Sequence, residues 1–447
     1  MLSANVDLIK GRILKSLIIF AIPIFVSNLF QQLYNTVDVT IVGHYLGDTS
    51  LAAIGACTAV YEMLVGFSLG VGNGFCMVTA RSFGARDEKM VKKSVAASLV
   101  IGVGLTVFIM LISKLFLLPL LRVLKTPDNI IDEAYSYVSI VTMFVGVMFL
   151  YNLAAGVLRA IGNSFMPLVF LVVSSLLNIV LDILFIVEFK MGIRGAAIAT
   201  VIAQGISGIM CIIYICVKCK ILVPRKEHFK FDGALYKDLI GQGLSMGLMS
   251  MVVSAGTVIL QRSINGLGYL IIAGHTTARK ISSVSYMPLI SLATSLATFV
   301  SQNKGANEPV RIRKAVKYAN ILAVIWGVVV TVVLIFFSSA FARILSGSSE
   351  NEVIDYATKY MIFNSSFYPV FGILFNLRNS LQGLGEKILP LISSVIEFVG
   401  KIIFVILFIP ILKEWGVIIC EPIIWCFMCA QLAYSFYRSS SIEIVSE

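Results

Sequence analysis

The 447-residue chain is 58% hydrophobic and only 13% charged, with a formal net charge of +11 and a mean hydropathy of +0.94. A soluble chain would carry roughly 25% charged residues, so a water-soluble domain of any size is excluded. The positive balance is what basic loops on one side of a membrane produce, and nucleic-acid binding needs no part in it.

Apolar runs of ~20 residues or more, long enough to cross a bilayer as helices, recur along the whole sequence. Twelve spans are predicted, six in residues 16–42, 51–80, 94–118, 134–158, 165–187 and 195–217. The other six are 239–264, 270–300, 315–345, 357–377, 388–412 and 415–437. Lys10, Arg12 and Lys15 precede the first run. That run is too long for a signal peptide and has no small-residue cleavage site, so it reads as an uncleaved span. Lys and Arg concentrate in alternate connections, above all in residues 218–237 and 304–317, which predicts a multi-pass cell-membrane protein with both termini cytoplasmic. Cys216-x-x-Cys219 and Cys426-x-x-Cys429 have redox or metal spacing, but they lie in or at the end of apolar helices without histidine support and read as buried thiols.

The chain is written twice. At an offset of 221, Leu46-Gly47 falls on Leu267-Gly268 and Gly84-Ala85 on Gly305-Ala306; at 223, Gly162 falls on Gly385 and Pro167 on Pro390. The expected fold is an all-α integral membrane protein with twelve transmembrane helices in two pseudo-symmetric six-helix bundles. Residues 1–220 form an N-terminal lobe, 221–238 a cytoplasmic linker and 239–447 a C-terminal lobe. Parallel repeats of this kind place a substrate cavity where the halves meet.

The stretches VDVTIVGHYLGDTSLAAIG, ARSFGARDEKMVKKSV, GVLRAIGNSFMPLVFLVVSSLLNIVLDILFI, GIRGAAIAT and AGHTTARKISSVSYMPLISLATSLATFVSQNKGAN resemble the multidrug and toxic compound extrusion (MATE) family over nearly the whole chain. The resemblance implies two six-helix lobes forming a V. It also implies antiport, in which an ion enters as an amphipathic organic cation leaves.

Charge within the spans points the same way. In the first span Asn28, Gln31, Gln32, Asn35 and Asp38 fall within an arc of roughly 120°, and no cation lies near Asp38 in the sequence. Asn178 and Asp182 stand four apart, on one face of the fifth span, and Thr200 adds a hydroxyl in the sixth. Acids inside a membrane are rare, costing ~2.5–3.5 kcal/mol on insertion scales. Two close carboxylates need a shared proton or a bound Na+. The oxygens of Asp38, Asn178, Asp182 and Thr200 suit either ion, and the resemblance points to the same set as its cation site. Pro23, fifteen residues before Asp38, is a candidate hinge.

Gln31, Tyr34, Asn35, Met246, Met249 and Gln261 are candidate substrate contacts, because aromatic and methionine surfaces suit flat lipophilic cations. Acids that bind the coupling ion in spans seven and ten of some family members are missing here, since residues 245–264 and 357–377 hold no Asp or Glu. Glu397 and Lys401, four apart, read as a structural ion pair. Arg279 needs a partner that the sequence does not identify.

The expected function is therefore cation-coupled export, by Na+ or H+, of amphipathic and mostly cationic organic compounds and drugs. No further cofactor is called for, and membrane lipids and small organic cations are the expected partners, with no obligate protein partner. An ATP-driven pump lacks its phosphate loop. A membrane-embedded enzyme is disfavoured because His44, His228 and His275 are widely spaced, and no sequence feature foreshadows a receptor or channel. The rival within transport is a flippase for lipid-linked saccharides, which would line its cavity with Arg and Lys to hold a pyrophosphate.

Overall fold

A backbone amide in hydrocarbon has no water to bond, so a chain this apolar must satisfy its hydrogen bonds within helices. The computed structural model describes residues 5–123, 126–347 and 350–439, and no strand occurs among them. The first half holds α1 (Ile13–Leu46), α2 (Asp48–Gly84), α3 (Glu88–Val123), α4 (Ile131–Met143), α5 (Val145–Ala160), α6 (Phe165–Ile183) and α7 (Ile193–Lys218). The second holds α8 (Gly233–Asn265), α9 (Tyr269–Gly305), α10 (Pro309–Ser346), α11 (Asn351–Ser366), α12 (Tyr368–Leu384), α13 (Ile388–Ile403), α14 (Ile409–Leu412) and α15 (Glu414–Tyr437). Single π-helical turns extend α6 (Leu184–Glu188) and α13 (Phe404–Phe408).

Ten of these helical stretches are long and apolar enough to cross a bilayer, and the α4–α5 pair, bent by 48°, makes an eleventh. The stretch expected as span ten is the pair α11 and α12, interrupted at Phe367 and more polar than the rest. Asn364, Ser365 and Ser366 precede its break, and Asn376 and Arg378 follow it. Just before the break Asn364 ties α11 to α15, its Nδ2 donating to the carbonyls of Tyr360 in α11 and Ile418 in α15 at 3.1 Å each.

The repeat seen in the sequence returns in the backbone. The breaks fall at Phe144 (φ −107°, ψ 18°) and Phe367 (φ −100°, ψ 4°), 223 positions apart. The non-glycine residues with positive φ among the described residues also pair. Arg86 matches Asn307 (both 56°), and Lys190 (51°) matches Lys413 (49°). Gly162 and Gly385, at 89° and 88°, end their helices in the left-handed conformation that glycine adopts without steric cost.

The chain forms two compact units. The first comprises Ile22–Met251 with the chain before Lys10; the second comprises Lys10–Ala21 and everything from Val252. In the first unit α2 and α8 meet glycine to backbone. A Cβ on Gly70 would lie 2.6 Å from the Met246 carbonyl oxygen, and one on Gly74 2.6 Å from that of Gln242. From the other side, a Cβ on Gly243 would lie 2.6 Å from Phe75, and one on Gly247 2.8 Å from Val71. Two Gly-x-x-x-Gly stripes thus face each other, the small-residue packing expected of helices that gain nothing from the hydrophobic effect in lipid. Arg81–Asp238 (2.6 Å) and Lys93–Asp232 (3.0 Å) tie the start of α8 and the connection before it to α2 and α3. In the second unit the first turns of α1 are held by Ser295 Oγ, which donates to the Leu17 carbonyl, and by Arg311 Nη2, which donates to that of Gly11.

Candidate functional site

Helices α1 and α6 of the first unit bring two of the predicted residues, Asp38 and Asp182, together. The i, i+4 spacing stacks Asn178 over Asp182 on α6, and the same spacing puts Gln204 beside Thr200 on α7. Asp38 enters from α1. Asp38, Asn178, Asp182 and Thr200 are 8%, 2%, 0% and 8% exposed. The two carboxyls are near enough to act on each other directly, and no Lys or Arg is among the groups acting on them. Even so, Asp38 Oδ1, both Asp182 oxygens, both polar atoms of Asn178 and Gln204 Oε1 have no hydrogen-bond partner among the described residues. Thr200 donates its proton to the Ala196 carbonyl at 3.1 Å, which leaves its oxygen able only to accept.

Buried polar atoms are nearly always paired in folded proteins, and a cluster of six orphans at two carboxyls marks a place where something is missing. Its chemistry is that of acceptor oxygens around a single positive charge. The π-helical turn that begins two residues after Asp182 adds to this, since such wide turns gather at functional sites.

Three tyrosines surround the pair. Tyr34 interacts with Gln31, Gln204, Asp38 and Asp182, while Tyr61 and Tyr137 both lie close enough to act on Asp38. Gln204, Tyr61 and Tyr137 are absent from the sequence reading. Gln204 is findable by its spacing from Thr200. The tyrosines come from α2 and α4, and nothing local in the sequence joins those helices to α1.

The expected substrate contacts divide. Gln31 and Asn35 are exposed on α1, and Tyr34 is half-buried beside the acids. Met246 and Met249 lie on the half of α8 that packs against α2, with Met249 buried. Gln261 belongs to the other unit, is exposed, and donates to Asn265 Oδ1 at 2.9 Å. Helix α1 runs unbroken through Pro23, whose carbonyl accepts a bond from Ser27 Oγ at 2.8 Å. The boundary between the compact units falls at Ala21 and Ile22, next to that proline.

The second unit carries charge of a different kind. Lys401 Nζ bonds Glu397 Oε1 at 2.9 Å, as the sequence spacing predicts, and lies 3.7 Å from Glu421 Oε1. Glu421 is the partner that the sequence does not give Arg279, at 2.7 Å, and it also accepts from the Tyr360 hydroxyl at 3.3 Å. Arg378 Nη2 lies 3.8 Å from Glu397 and its Nε donates to Ser393 Oγ at 2.9 Å. Beside Arg279 and Lys401, Arg378, 7% exposed, is a third cation of this network, one residue past the predicted end of span ten. Both glutamates in this chain of charges face cations, in contrast to the acids of the first unit. The eight cysteines are free thiols, but the expectation that both C-x-x-C pairs are buried needs correcting: Cys219 is buried, Cys429 is partly so, and Cys216 and Cys426 lie on outward faces of α7 and α15 and are exposed.

The MatE family description matches residues 23–184 and again residues 246–407, a constant shift of 223. The chain belongs to the MatE family. Among its curated relatives, the probable multidrug resistance protein YpnP of Bacillus subtilis is 28% identical over 397 residues, covering 88% of this chain and 87% of that protein. The multidrug export protein MepA of Staphylococcus saprophyticus is 21% identical, covering 90% and 88%. A crystal structure of MATE in complex with MaL6 superposes with a TM-score of 0.89 at 23% identity, covering 98% of this chain and 99% of that one. An outward-facing multidrug resistance MATE family transporter of the MOP superfamily superposes with a TM-score of 0.87 at 24% identity, covering 99% of each chain. Membership makes this MatE chain a membrane transporter rather than an enzyme, and its fold is that of the solved MATE structures.

Proposed function

We propose that this MatE transporter is a secondary antiporter that exports amphipathic, mostly cationic organic compounds against inward movement of a monovalent cation, H+ or Na+, bound at Asp38, Asn178, Asp182 and Thr200 with Gln204. The observation that carries this reading is the pair of buried, facing carboxyls with no cation beside them and, apart from each other, no hydrogen-bond partner for three of their oxygens. Both cannot remain ionised in a low dielectric, so a proton shared between them or an ion held by both relieves the repulsion. Either gradient supplies energy of the right size, ~2.3 kcal/mol for one charge across 100 mV. The multidrug names of its relatives in Bacillus and Staphylococcus support the substrate class. The positive-inside pattern supports cytoplasmic termini, and the internal repeat supports two lobes, 1–220 and 239–447, joined through 221–238.

The test is uptake of a fluorescent lipophilic cation into proteoliposomes, with Na+ and pH gradients imposed separately on wild type and on Asp38→Asn. Transport driven by one gradient, with that response abolished in a folded variant, supports the site and identifies the ion. A normal response in the variant makes the acids structural. If neither gradient drives uptake, the lipid-linked saccharide reading gains, and Arg279, Arg378 and Lys401 of the second unit become its candidate phosphate contacts.

A further inference from the structure

The second unit carries a groove of about 730 Å³ outside the charged network, between α10 and the end of α15. One stripe of α10 forms its floor, and polarity along that stripe is graded. Arg313 and Lys317, four apart, come first, then Asn320, then Ile321, Val324 and Ile325, with Phe436 and Tyr437 of α15 as the opposite wall. Arg313 and Lys317 are exposed and have no acidic partner among the described residues. Their neighbour Arg311 is fully occupied by Asn303 and the Gly11 carbonyl. Asn320 accepts a bond from Asn376 Nδ2 at 3.1 Å, leaving its own Nδ2 as a donor halfway along. From Arg313 to Ile325 the stripe is roughly 18 Å long at 1.5 Å per residue, close to the depth of one leaflet.

Cations at the head, an amide donor at the waist and an apolar remainder reproduce, in order, the complement of a phospholipid: phosphate, ester carbonyl, acyl chain. We infer that this groove is a binding site for an anionic phospholipid of the leaflet on the side of the basic α9–α10 connection. Basic pockets between helices at the membrane boundary hold anionic head groups. Two adjacent cations without counter-ions favour such a lipid over a zwitterionic one, whose own ammonium they repel.

The experiment is native mass spectrometry of the purified full-length chain with added phosphatidylglycerol or phosphatidylcholine of identical acyl chains. Wild type should retain phosphatidylglycerol preferentially. The double variant Arg313→Gln, Lys317→Gln should lose that preference, binding phosphatidylglycerol about 30-fold more weakly, since each cation near the surface contributes a factor of about 5. Ile321→Trp, which fills the apolar end, should weaken both lipids. Equal retention of the two lipids by wild type, or a preference that survives in the double variant, overturns the assignment. So does lipid binding that appears only after removal of residues 440–447, which would make the groove the seat of the chain's own acidic tail.

Discussion

Lys401 Nζ approaches Glu421 Oε1 to 3.7 Å while bonding Glu397 at 2.9 Å, and that one ammonium joins two ion pairs into a single chain of charge. Lys401 is 2% exposed, and its removal would take from Glu397 its nearest cation, leaving it only Arg378 at 3.8 Å. Breaking a buried pair by deleting one partner costs about 3–5 kcal/mol. Lys401→Met should lower the thermal midpoint of the purified protein by a correspondingly large step. Lys401→Met combined with Glu397→Leu and Arg378→Met should recover much of it, because Arg378 also leans on Glu397 and replacing a whole buried charge group with apolar residues is often neutral. A midpoint unchanged in the single variant would show that the network carries no structural load.

The acids of the first unit predict the opposite pattern. Asp38 and Asp182 have no cation among their neighbours, so neutralising one removes a desolvation cost and breaks no ion pair. Asp182→Asn and Asp38→Asn should each keep or raise the thermal midpoint while abolishing the response of transport to the driving gradient. Flux against gradient and calorimetric midpoint, measured on one preparation, separate the two effects. A variant that unfolds and thereby loses transport would count against the site.

How far this contrast is legible in the sequence depends on how local each signal is. Asn178 and Asp182 announce themselves by four-residue spacing in an apolar run, and Glu397 with Lys401 by the same rule. Arg279 and Glu421 are 142 positions apart on α9 and α15, and no spacing rule links them. Glu421 carries no helical partner of its own to draw notice, so it goes unread. Arg378 escapes for a different reason, since a hydropathy boundary drawn at residue 377 excludes it. The twelvefold span count shares that weakness: α11 and α12 are broken at Phe367, and hydropathy alone does not show the break.

Glycines in these helices should separate by what faces them. Gly70→Ala would set a methyl 2.6 Å from the Met246 carbonyl oxygen, and such overpacking costs typically 1–3 kcal/mol. A Cβ on Gly104 in α3 meets nothing within 4 Å, so Gly104→Ala should gain from helix propensity, by up to about 1 kcal/mol. Melting curves of the two variants should therefore move in opposite directions.

Lys190 and Lys413 hold left-handed backbone, at φ 51° and 49°, where an L side chain is strained by roughly 1–2 kcal/mol relative to glycine. Lys413→Gly should raise stability by about 1 kcal/mol, after the greater freedom of glycine in the unfolded chain is discounted. Lys413→Val, which cannot adopt this conformation readily, should lower it. Denaturant midpoints of the two variants test the sign.

At the contact of α2 with α8, Gly70 and Gly74 meet the backbone of α8, while Gly243 and Gly247 meet the side chains of Phe75, Val71 and Phe67. None of the four glycines can be trimmed. Every substitution at these four positions thickens it, so the joint offers variation no gradual path and can be kept or lost but not tuned. A transporter built on such a fixed seam has to acquire new preferences elsewhere, on surfaces where one side chain can be exchanged for another of different size and polarity.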